Sequence, residues 1–223
     1  MKKLFLSTAI AFFSFATLSA QDVRFGVKGG VNFANVAGDY GYTGFDEAYG
    51  DSEMKVGFHI GGLAELKLSD KFALQPELLF SSQGYKSNYF DFDDRKVDYN
   101  VNLSYVNIPI MAKFFPIEGL SIEAGPQVGF LVSAKDEFND YENDLFDDDE
   151  DIDTKDLYKT IDFGLNFGVS YELPSGLFFS ARYNLGLSKV DDEDYYDDID
   201  GDFGLFSFSR KNRVIQLSAG FMF

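Results

Sequence analysis

Cysteine and tryptophan are both absent from the sequence, and histidine occurs once. Without cysteine, the chain can form no disulfide bond and has no thiolate chemistry. Positive charge is scarce, since 19 lysines and arginines stand against 37 aspartates and glutamates, for a formal net charge of −18. Nucleic acid is therefore excluded as a partner, because phosphate binding requires a basic surface.

Long apolar runs are lacking beyond the amino terminus. Lys2 and Lys3 precede an apolar stretch at 4–18, and Ser19 and Ala20 supply the small residues of a cleavage site. This pattern is typical of a secretory signal peptide, which we assign to residues 1–20, leaving 21–223 as the mature protein. No later run reaches the roughly 20 apolar residues of a transmembrane helix. The mature protein therefore either stays in the periplasm or the medium, or enters a membrane as a β-barrel.

The negative charge is concentrated in four segments rich in aspartate, glycine and aromatic residues. Segments 34–55, 86–98, 135–156 and 188–211 carry −4, −1, −10 and −5 respectively. The signal peptide carries +2, so the remaining residues are neutral as a group. We interpret the four segments as long acidic loops.

Between these loops, apolar and polar residues alternate with a period of two, which indicates β-strands. In segment 161–173, for example, Ile161, Phe163 and Leu165 share one face, and Asp162 and Gly164 share the other. The alternation predicts eight strands, at 23–33, 56–68, 72–84, 99–114, 120–134, 161–173, 177–187 and 212–223. Short turns at 69–71, 115–119 and 174–176 alternate with the long loops.

One strand changes phase. Its apolar residues occupy odd positions from Tyr99 to Tyr105 and even positions from Val106 onward. A slip of one residue predicts a β-bulge near Tyr105-Val106. Pro109, which cannot donate a ladder hydrogen bond, also indicates local irregularity.

The apolar face of the strands is predicted to point outward, to lipid. The polar face is rich in glycine, serine and asparagine, which suit the crowded interior of an eight-stranded barrel, whereas the aromatic face would overfill it. Short turns at one end and long loops at the other are typical of outer-membrane barrels, as is the terminal Phe223. We predict an all-β fold, an eight-stranded antiparallel up-and-down transmembrane β-barrel with short periplasmic turns and long acidic extracellular loops. Strands 23–33 and 212–223 must then pair, since an open edge in lipid would be costly.

The inward face carries equal numbers of bases and acids. The bases are Arg24, Lys28, Lys67, Lys113 and Arg182, and the acids are Glu65, Glu77, Glu123, Asp162 and Glu172. A barrel of eight strands is just wide enough for side chains to fill it. We therefore predict a closed, charge-balanced lumen; a conducting or proton-relay role is the alternative.

Several segments resemble one known family. They are SYVNIPIMAKFF at 104–115, EAGPQVGFLVSAK at 123–135, DFGLNFGVSYEL at 162–173, ARYNLGL at 181–187 and NRVIQLSAGFMF at 212–223. They resemble the PorT-like outer-membrane β-barrel family of Bacteroidota. The resemblance covers nearly all of 21–223 and implies an eight-stranded outer-membrane barrel. It implies no single activity, since one member takes part in type IX protein secretion and most have no assigned role.

Candidate sites are few. His59 lies on the polar face of its strand, and no serine or aspartate in the sequence visibly pairs with it as a phospholipase or acyltransferase site would require. We interpret it as a structural residue and predict no enzymatic activity. The aromatic residues among the loop acids either bind proteins or glycans, or pack in the headgroup zone; they are Tyr141, Phe146, Tyr195, Tyr196, Phe203 and Phe206.

Two dense carboxylate runs are candidate ligands for a divalent cation, because Ca²⁺ and Mg²⁺ prefer oxygen ligands. The candidates are Asp147, Asp148, Asp149, Asp198, Asp200 and Asp202. An EF-hand register would place Tyr196 and Ser207 at its first and last ligand positions, so that motif is not met. Solvated, self-repelling loops without a cofactor are one reading. Weak Ca²⁺ binding that bridges to lipopolysaccharide is the other.

Together these patterns predict a monomeric protein of the cell outer membrane with a closed lumen. Its expected role is structural, or binding of an extracellular protein or glycan through the acidic loops. A small-solute channel and an accessory of protein secretion or envelope biogenesis are the alternatives.

Overall fold

The computed structural model describes residues 23–38, 40–42, 52–90, 96–139, 152–192 and 206–223. The predicted signal peptide lies outside these residues. Among the described residues, no helix has the length and apolarity needed to cross a membrane. The strands are β1 (Val23–Ala37), β2 (Tyr40–Tyr42), β3 (Glu53–Ser69), β4 (Phe72–Phe90), β5 (Lys96–Ile117), β6 (Leu120–Asn139), β7 (Ile152–Asp153), β8 (Ile161–Glu172), β9 (Leu177–Gly186), β10 (Phe206–Phe208) and β11 (Lys211–Met222), with one 3₁₀ turn at Lys155–Leu157.

Eight long strands close into an antiparallel barrel in the order β1-β3-β4-β5-β6-β8-β9-β11. The first and last strands close it, with β1 pairing β11 from Gly26↔Met222 to Ala37↔Lys211. The predicted strand number, up-and-down topology and closure are therefore confirmed. The short strand β7 pairs with the end of β6, and β2 pairs with β10.

Tight turns join the strands at one end of the barrel. Asp70 and Lys71 connect β3 to β4, Glu118 and Gly119 connect β5 to β6, and 173–176 connect β8 to β9. Gly119 has a φ of +78° and Gly176 a φ of +89°, a region that residues with a side chain rarely adopt. Glycine at these two positions explains why the hairpins turn so sharply.

The apolar face of the strands points outward, as predicted. Phe25 is 63% exposed, Val56 64% and Phe163 52%, while their neighbours on the other face are buried or half-buried. Exposed apolar residues continue around all eight long strands. Such a continuous apolar surface marks contact with a membrane rather than with water.

The predicted bulge is present beside Tyr105, but on the partner strand β6 and not on β5. The inward positions of β5 run without interruption from Val101 through Tyr105 and Asn107 to Lys113. The register shift lies on the partner strand, where Ser104 pairs Ser133 but Tyr105 pairs Leu131, so β6 carries the extra residue. The apolar residues of β5 move from the outward to the inward face at Tyr105 because the lining of the lumen changes there. On the side of the tight turns the lining is mostly polar, and on the side of the long connections it is apolar.

The predicted loops are in part strand. β4 continues to Phe90 and β5 begins at Lys96, so most of 86–98 belongs to a hairpin, and β1, β3 and β6 also extend into the segments interpreted as loops. Strands β4, β5 and β6 have 19, 22 and 20 residues. About 9–11 tilted residues suffice to cross a bilayer. These three strands therefore rise well past the apolar belt, and they form a curved wall that we call the extension.

Candidate functional site

The lumen is filled by ion pairs in the half nearest the tight turns. Arg24 on β1 contacts Glu65 at 2.5 Å and Glu172 at 2.5 Å, and Lys113 on β5 contacts Glu65 at 2.8 Å. These residues come from four different strands. Arg24 and Glu65 face each other on the neighbouring strands β1 and β3, whereas Arg24 meets Glu172 on β8 because the sheet curls into a barrel.

A second set of ion pairs lies beside the first. Lys28 contacts Glu77 at 2.7 Å, and Arg182 contacts Glu77 and Glu123, each at 2.9 Å. Glu77 is buried and accepts from both nitrogens of the Arg182 fork, at 2.9 Å each. A carboxylate held by two cations in this way is well compensated for the loss of its water.

One glutamine joins the two sets. The Lys113 ammonium donates to Gln75 Oε1 at 3.0 Å, and Gln75 Nε2 donates to Glu77 Oε1 at 2.7 Å. The result is one connected group of four bases and four acids, which we call the lumen network: Arg24, Lys28, Lys113, Arg182, Glu65, Glu77, Glu123 and Glu172. Its formal charges balance, so it blocks the lumen without leaving an uncompensated buried ion.

Two of the predicted lumen charges lie elsewhere. Lys67 is exposed near the end of β3, where the strand leaves the barrel for the turn. Asp162 is buried, but its carboxylate accepts from the Ser188 hydroxyl at 2.6 Å and from Asn212 Nδ2 at 3.2 Å rather than from a base. Alternation gave the correct face for both residues but not their height along the barrel axis.

A cavity of about 10 Å³ lies next to the lumen network, toward the tight turns. Lys28, Gln75, Lys113, Glu123 and Arg182 are among its lining residues. This volume is about that of a single water site. The space beside the lumen network therefore holds about one water molecule.

The middle of the lumen holds a cluster of amides and hydroxyls around His59. The ring is 1% exposed, with Nδ1 at 2.8 Å from Asn32 Oδ1 and Nε2 at 2.7 Å from Ser218 Oγ. Asn32 Nδ2 donates to the backbone oxygens of Phe58 and Ser82, so its Oδ1 is the acceptor. The ring therefore donates from Nδ1, and Nε2 accepts the hydrogen of Ser218.

This serine–histidine–asparagine arrangement has the hydrogen bonds of a nucleophile with its base and orienting group. The sequence did not reveal it, because Ser218 follows His59 by 159 residues and is brought to it only by closure of the barrel. A hydrolytic reaction also requires space for a substrate carbonyl beside the nucleophile. Ser218 is only 8% exposed, and it lies between the lumen network and an apolar cluster above.

That apolar cluster fills the lumen inside the extension. We call it the mouth cluster, and its buried members are Val36, Tyr85, Val101, Leu103, Tyr105, Leu131, Ala134, Tyr158 and Val190. On the outer side of the same strands the residues are polar, as at Asn102 and Ser104. An apolar interior with a polar exterior is the arrangement of a water-soluble barrel. The extension is therefore built for an aqueous environment.

Two chain segments fold over the mouth cluster and close it: the first runs from Thr154 to Lys159, and the second contains Val190 and Asp191. Thr154 N donates to Ala134 O at 3.1 Å, and Lys159 N donates to Val190 O at 2.8 Å. Tyr158 forms a β-bridge with Asp191. Burial raises the pKa of the Tyr158 hydroxyl far above its ordinary value, with the negative charge that nearby Tyr85 would carry as a lesser cause, so the hydroxyl stays protonated.

An ion pair holds the second segment in place. The buried carboxylate of Asp191 accepts from Arg210 Nε at 2.9 Å and also from Nη2. Arg210 Nη1 donates to the Tyr85 hydroxyl at 2.5 Å, and its guanidinium lies 5.0 Å from the centre of the Tyr85 ring. The closure of the mouth is thus tied to β4.

The candidate cation ligands Asp147, Asp148, Asp149, Asp198, Asp200 and Asp202 lie outside the described residues. Within the described ranges, no group of three or more histidine, cysteine, aspartate or glutamate residues is arranged to hold a metal ion. The cation hypothesis stays a prediction of the sequence. The aromatic residues of the same loops also lack described side chains.

Comparison with known proteins places the chain among outer-membrane barrels. The sequence model of a family described as "Outer membrane protein beta-barrel domain" matches residues 19–192. No curated protein matches the sequence.

Solved structures with this fold share little sequence with the chain. Neisserial surface protein A is 13% identical with a TM-score of 0.50, and the match covers 91% of this chain and 100% of that chain. Ail of Yersinia pestis is 13% identical, with a TM-score of 0.46 and the same coverage. A major outer membrane protein of Thermus thermophilus is 14% identical, with a TM-score of 0.46, and the match covers 91% and 100%. At these identities the likeness concerns the fold alone.

Proposed function

The chain belongs to the outer membrane protein β-barrel domain family, and from this premise we propose that it is a non-conducting barrel that presents a binding surface outside the cell. The family and the fold place it in the outer membrane. In such barrels the tight turns face the periplasm and the long connections face outward. The extension and the acidic loops then stand on the extracellular side.

The observation that carries the proposal is the double closure of the lumen. The lumen network fills the periplasmic half with paired charges, and the mouth cluster fills the extracellular end with apolar side chains. Hydrated ions would have to cross both layers. A conducting pore of this size would instead need a water-filled path lined by polar groups.

The extension supports the binding role. Its strands continue far beyond the apolar belt and have a polar outer face, a feature that membrane anchoring alone does not require. Segments 135–156 and 188–211, which adjoin it, carry −10 and −5 in the sequence. We therefore propose an extracellular protein or glycan as the partner, bound at the loops and the extension.

Conductance tests the closed lumen. Refolded protein inserted into a planar bilayer should show no steady open level, whereas a known porin inserted in the same bilayer should. A reproducible open level from the folded protein would instead support the small-solute channel. An accessory role in secretion or envelope biogenesis would show as loss of secretion on deletion of the gene in its host.

We also propose that the Ser218–His59–Asn32 arrangement is structural and that the protein is not an enzyme. Both Ser218 and His59 are enclosed between the lumen network and the mouth cluster. A fluorophosphonate probe should therefore leave the folded protein unlabelled, while it labels an active serine hydrolase in the same detergent. Stoichiometric labelling that a Ser218→Ala variant abolishes would contradict this assignment.

A further inference from the structure

A group of basic residues lies on one side of the barrel, directly above the apolar belt. We call it the outer basic face, and it consists of Lys159, Lys189, Lys211 and Arg213. All four side chains are half-exposed. They lie next to outward-facing apolar residues of the same strands or strand extensions: Ile161 on β8, Leu187 after β9 and Ile215 on β11. These three apolar residues are 45%, 48% and 41% exposed.

The backbone pairings bring the four residues together. Strands β8, β9 and β11 are neighbours in the sheet. Arg213 pairs with Leu185 on β9, and beyond the regular ladder Val190 N donates to Arg210 O at 2.9 Å. Lys159 N in turn donates to Val190 O at 2.8 Å. Three adjacent backbone segments spaced about 4.8 Å apart therefore carry the four cations within a patch roughly 10 Å wide.

Lys211 and Arg213 face outward, because they alternate with buried residues. Asn212 and Val214 are 2% and 1% exposed and point into the lumen. Arg213 Nη1 donates to the backbone oxygens of Gly186 at 3.0 Å and Asn212 at 2.9 Å. These bonds hold the guanidinium against the outer surface of the strand ends and use only one of its nitrogens.

The opposite side of the barrel also carries exposed cations, Lys86 on β4 and Lys135 on β6, but they stand above polar outward positions and not directly above the apolar belt. At the point where the outward face of β4, β5 and β6 turns from apolar to polar, it shows Ser82, Ser104 and Ser133. Among the described residues, the acids near the outer basic face include Asp192, whose backbone N donates to Leu157 O at 3.0 Å, and Asp156. Asp191 is buried and paired with Arg210. In a chain with a net charge of −18, four cations on one side are a local reversal of sign.

The height of the patch points to its ligand. The apolar belt ends where the hydrocarbon of the bilayer ends, so cations directly above it lie at the level of lipid headgroups. Lysine and arginine lay their aliphatic stems along apolar surface and extend their charge to that level. Both groups bind phosphate oxygens through charge-assisted hydrogen bonds, and arginine does so with a planar fork.

We propose that the outer basic face binds the phosphate groups on the headgroup of an outer-leaflet glycolipid of the lipid A type. This contact is direct and lies on the barrel wall, so it needs neither the acidic loops nor a bridging cation. The proposal rests on the outer-membrane location of the chain and not on the extracellular binding role. Binding on the β8–β9–β11 side would orient the barrel next to a fixed lipid.

The test uses the full-length mature protein refolded in detergent micelles, titrated with purified lipid A and followed by native mass spectrometry. The test variant is Lys211→Gln with Arg213→Gln. The matched control is Lys67→Gln with Lys71→Gln, which removes the same charge at the opposite end of the barrel. The wild type and the control should bind phosphorylated lipid A with similar affinity, and the test variant at least tenfold more weakly.

Two further arms identify the group that is bound. Dephosphorylated lipid A should bind the wild type as weakly as phosphorylated lipid A binds the test variant. Inorganic phosphate at a concentration equal to that of the lipid should not displace it, since the acyl chains contribute to binding. Equal affinities of the test variant and the wild type, or equal binding of both lipids, would overturn the proposal.

Folding is checked for each variant by its heat-modifiable migration in electrophoresis. If the Lys211→Gln, Arg213→Gln variant does not fold, Lys159→Gln with Lys189→Gln tests the same face from the neighbouring segments. An unchanged affinity in that folded variant would likewise overturn the proposal. Failure here leaves the conductance result untouched, so the two proposals can be judged separately.

Discussion

At the scale of single residues, Glu77 is the centre of the lumen network. It contacts Lys28 at 2.7 Å and Arg182 at 2.9 Å, and it accepts a hydrogen bond from Gln75 at 2.7 Å. Removing one partner of a buried ion pair leaves the other charge uncompensated. The two cations would then depend on Glu123 and on water that the lumen has little room to admit.

Replacing Glu77 should therefore destabilise the barrel. We expect Glu77→Gln to lower the free energy of unfolding by about 3–5 kcal/mol, the usual cost of breaking a buried pair. Urea titration of the protein in lipid vesicles, followed by the shift in electrophoretic migration, measures the change. The control is Glu118→Gln, which neutralises an exposed acid in the β5–β6 turn. A loss no larger than that of the control would contradict the role of the lumen network.

At the scale of elements, the β4–β5–β6 wall reverses its polarity along its length. On β5, Ile108 and Ile110 face outward in the apolar belt, whereas Asn102 and Ser104 occupy the equivalent outward positions above it. Inward, the order is the opposite, with Lys113 below and Leu103 above. The outward face of β5 is therefore suited to lipid near the tight turns and to water near the long connections.

The lack of native cysteine makes this boundary easy to map. Single-cysteine variants at Asn102 and Ser104 should react rapidly with a membrane-impermeant maleimide on intact cells or vesicles. A variant at Ile110 should not react, since lipid covers that position, and one at Leu103 should react only after unfolding. Rapid labelling at Ile110 together with protection at Ser104 would place the membrane boundary elsewhere on β5.

At the scale of the whole molecule, the barrel has two closures in series, and they are chemically independent. The mouth cluster depends on apolar contacts and the Arg210–Asp191 pair, while the lumen network depends on buried charges some distance below. Loss of one closure should leave the other intact.

Conductance of a Tyr158→Ala variant tests this independence. The substitution removes a buried ring from the mouth cluster and should loosen the segments around Tyr158 and Asp191 without opening a pore. The matched control is Tyr171→Ala on the lipid-facing side of β8, which is 47% exposed. Steady conductance in the Tyr158→Ala variant alone would mean that the lumen network does not seal the barrel.

The fold could be read from the sequence because its determinants are local. A period of two assigns each side chain to the inside or the outside of the barrel without reference to the strands that lie beside it. Turns such as the one at Gly119 follow from a few adjacent residues. The five bases and five acids predicted to face inward were assigned to the correct face for the same reason. Their partners could not be assigned, since pairing across the lumen depends on strand register.

The sequence by itself determined eight strands, their closure, and an apolar exterior with a polar interior, because these follow from residue alternation and from the need to satisfy backbone hydrogen bonds in lipid. Only the tertiary structure decided where each residue lies along the barrel axis. That height separated Asp162 from the lumen network and joined His59 to Ser218. It also showed that the phase change at Tyr105 marks the border between two environments, with the bulge itself on β6. Height depends on shear and register summed over the whole closed sheet, which no single segment encodes.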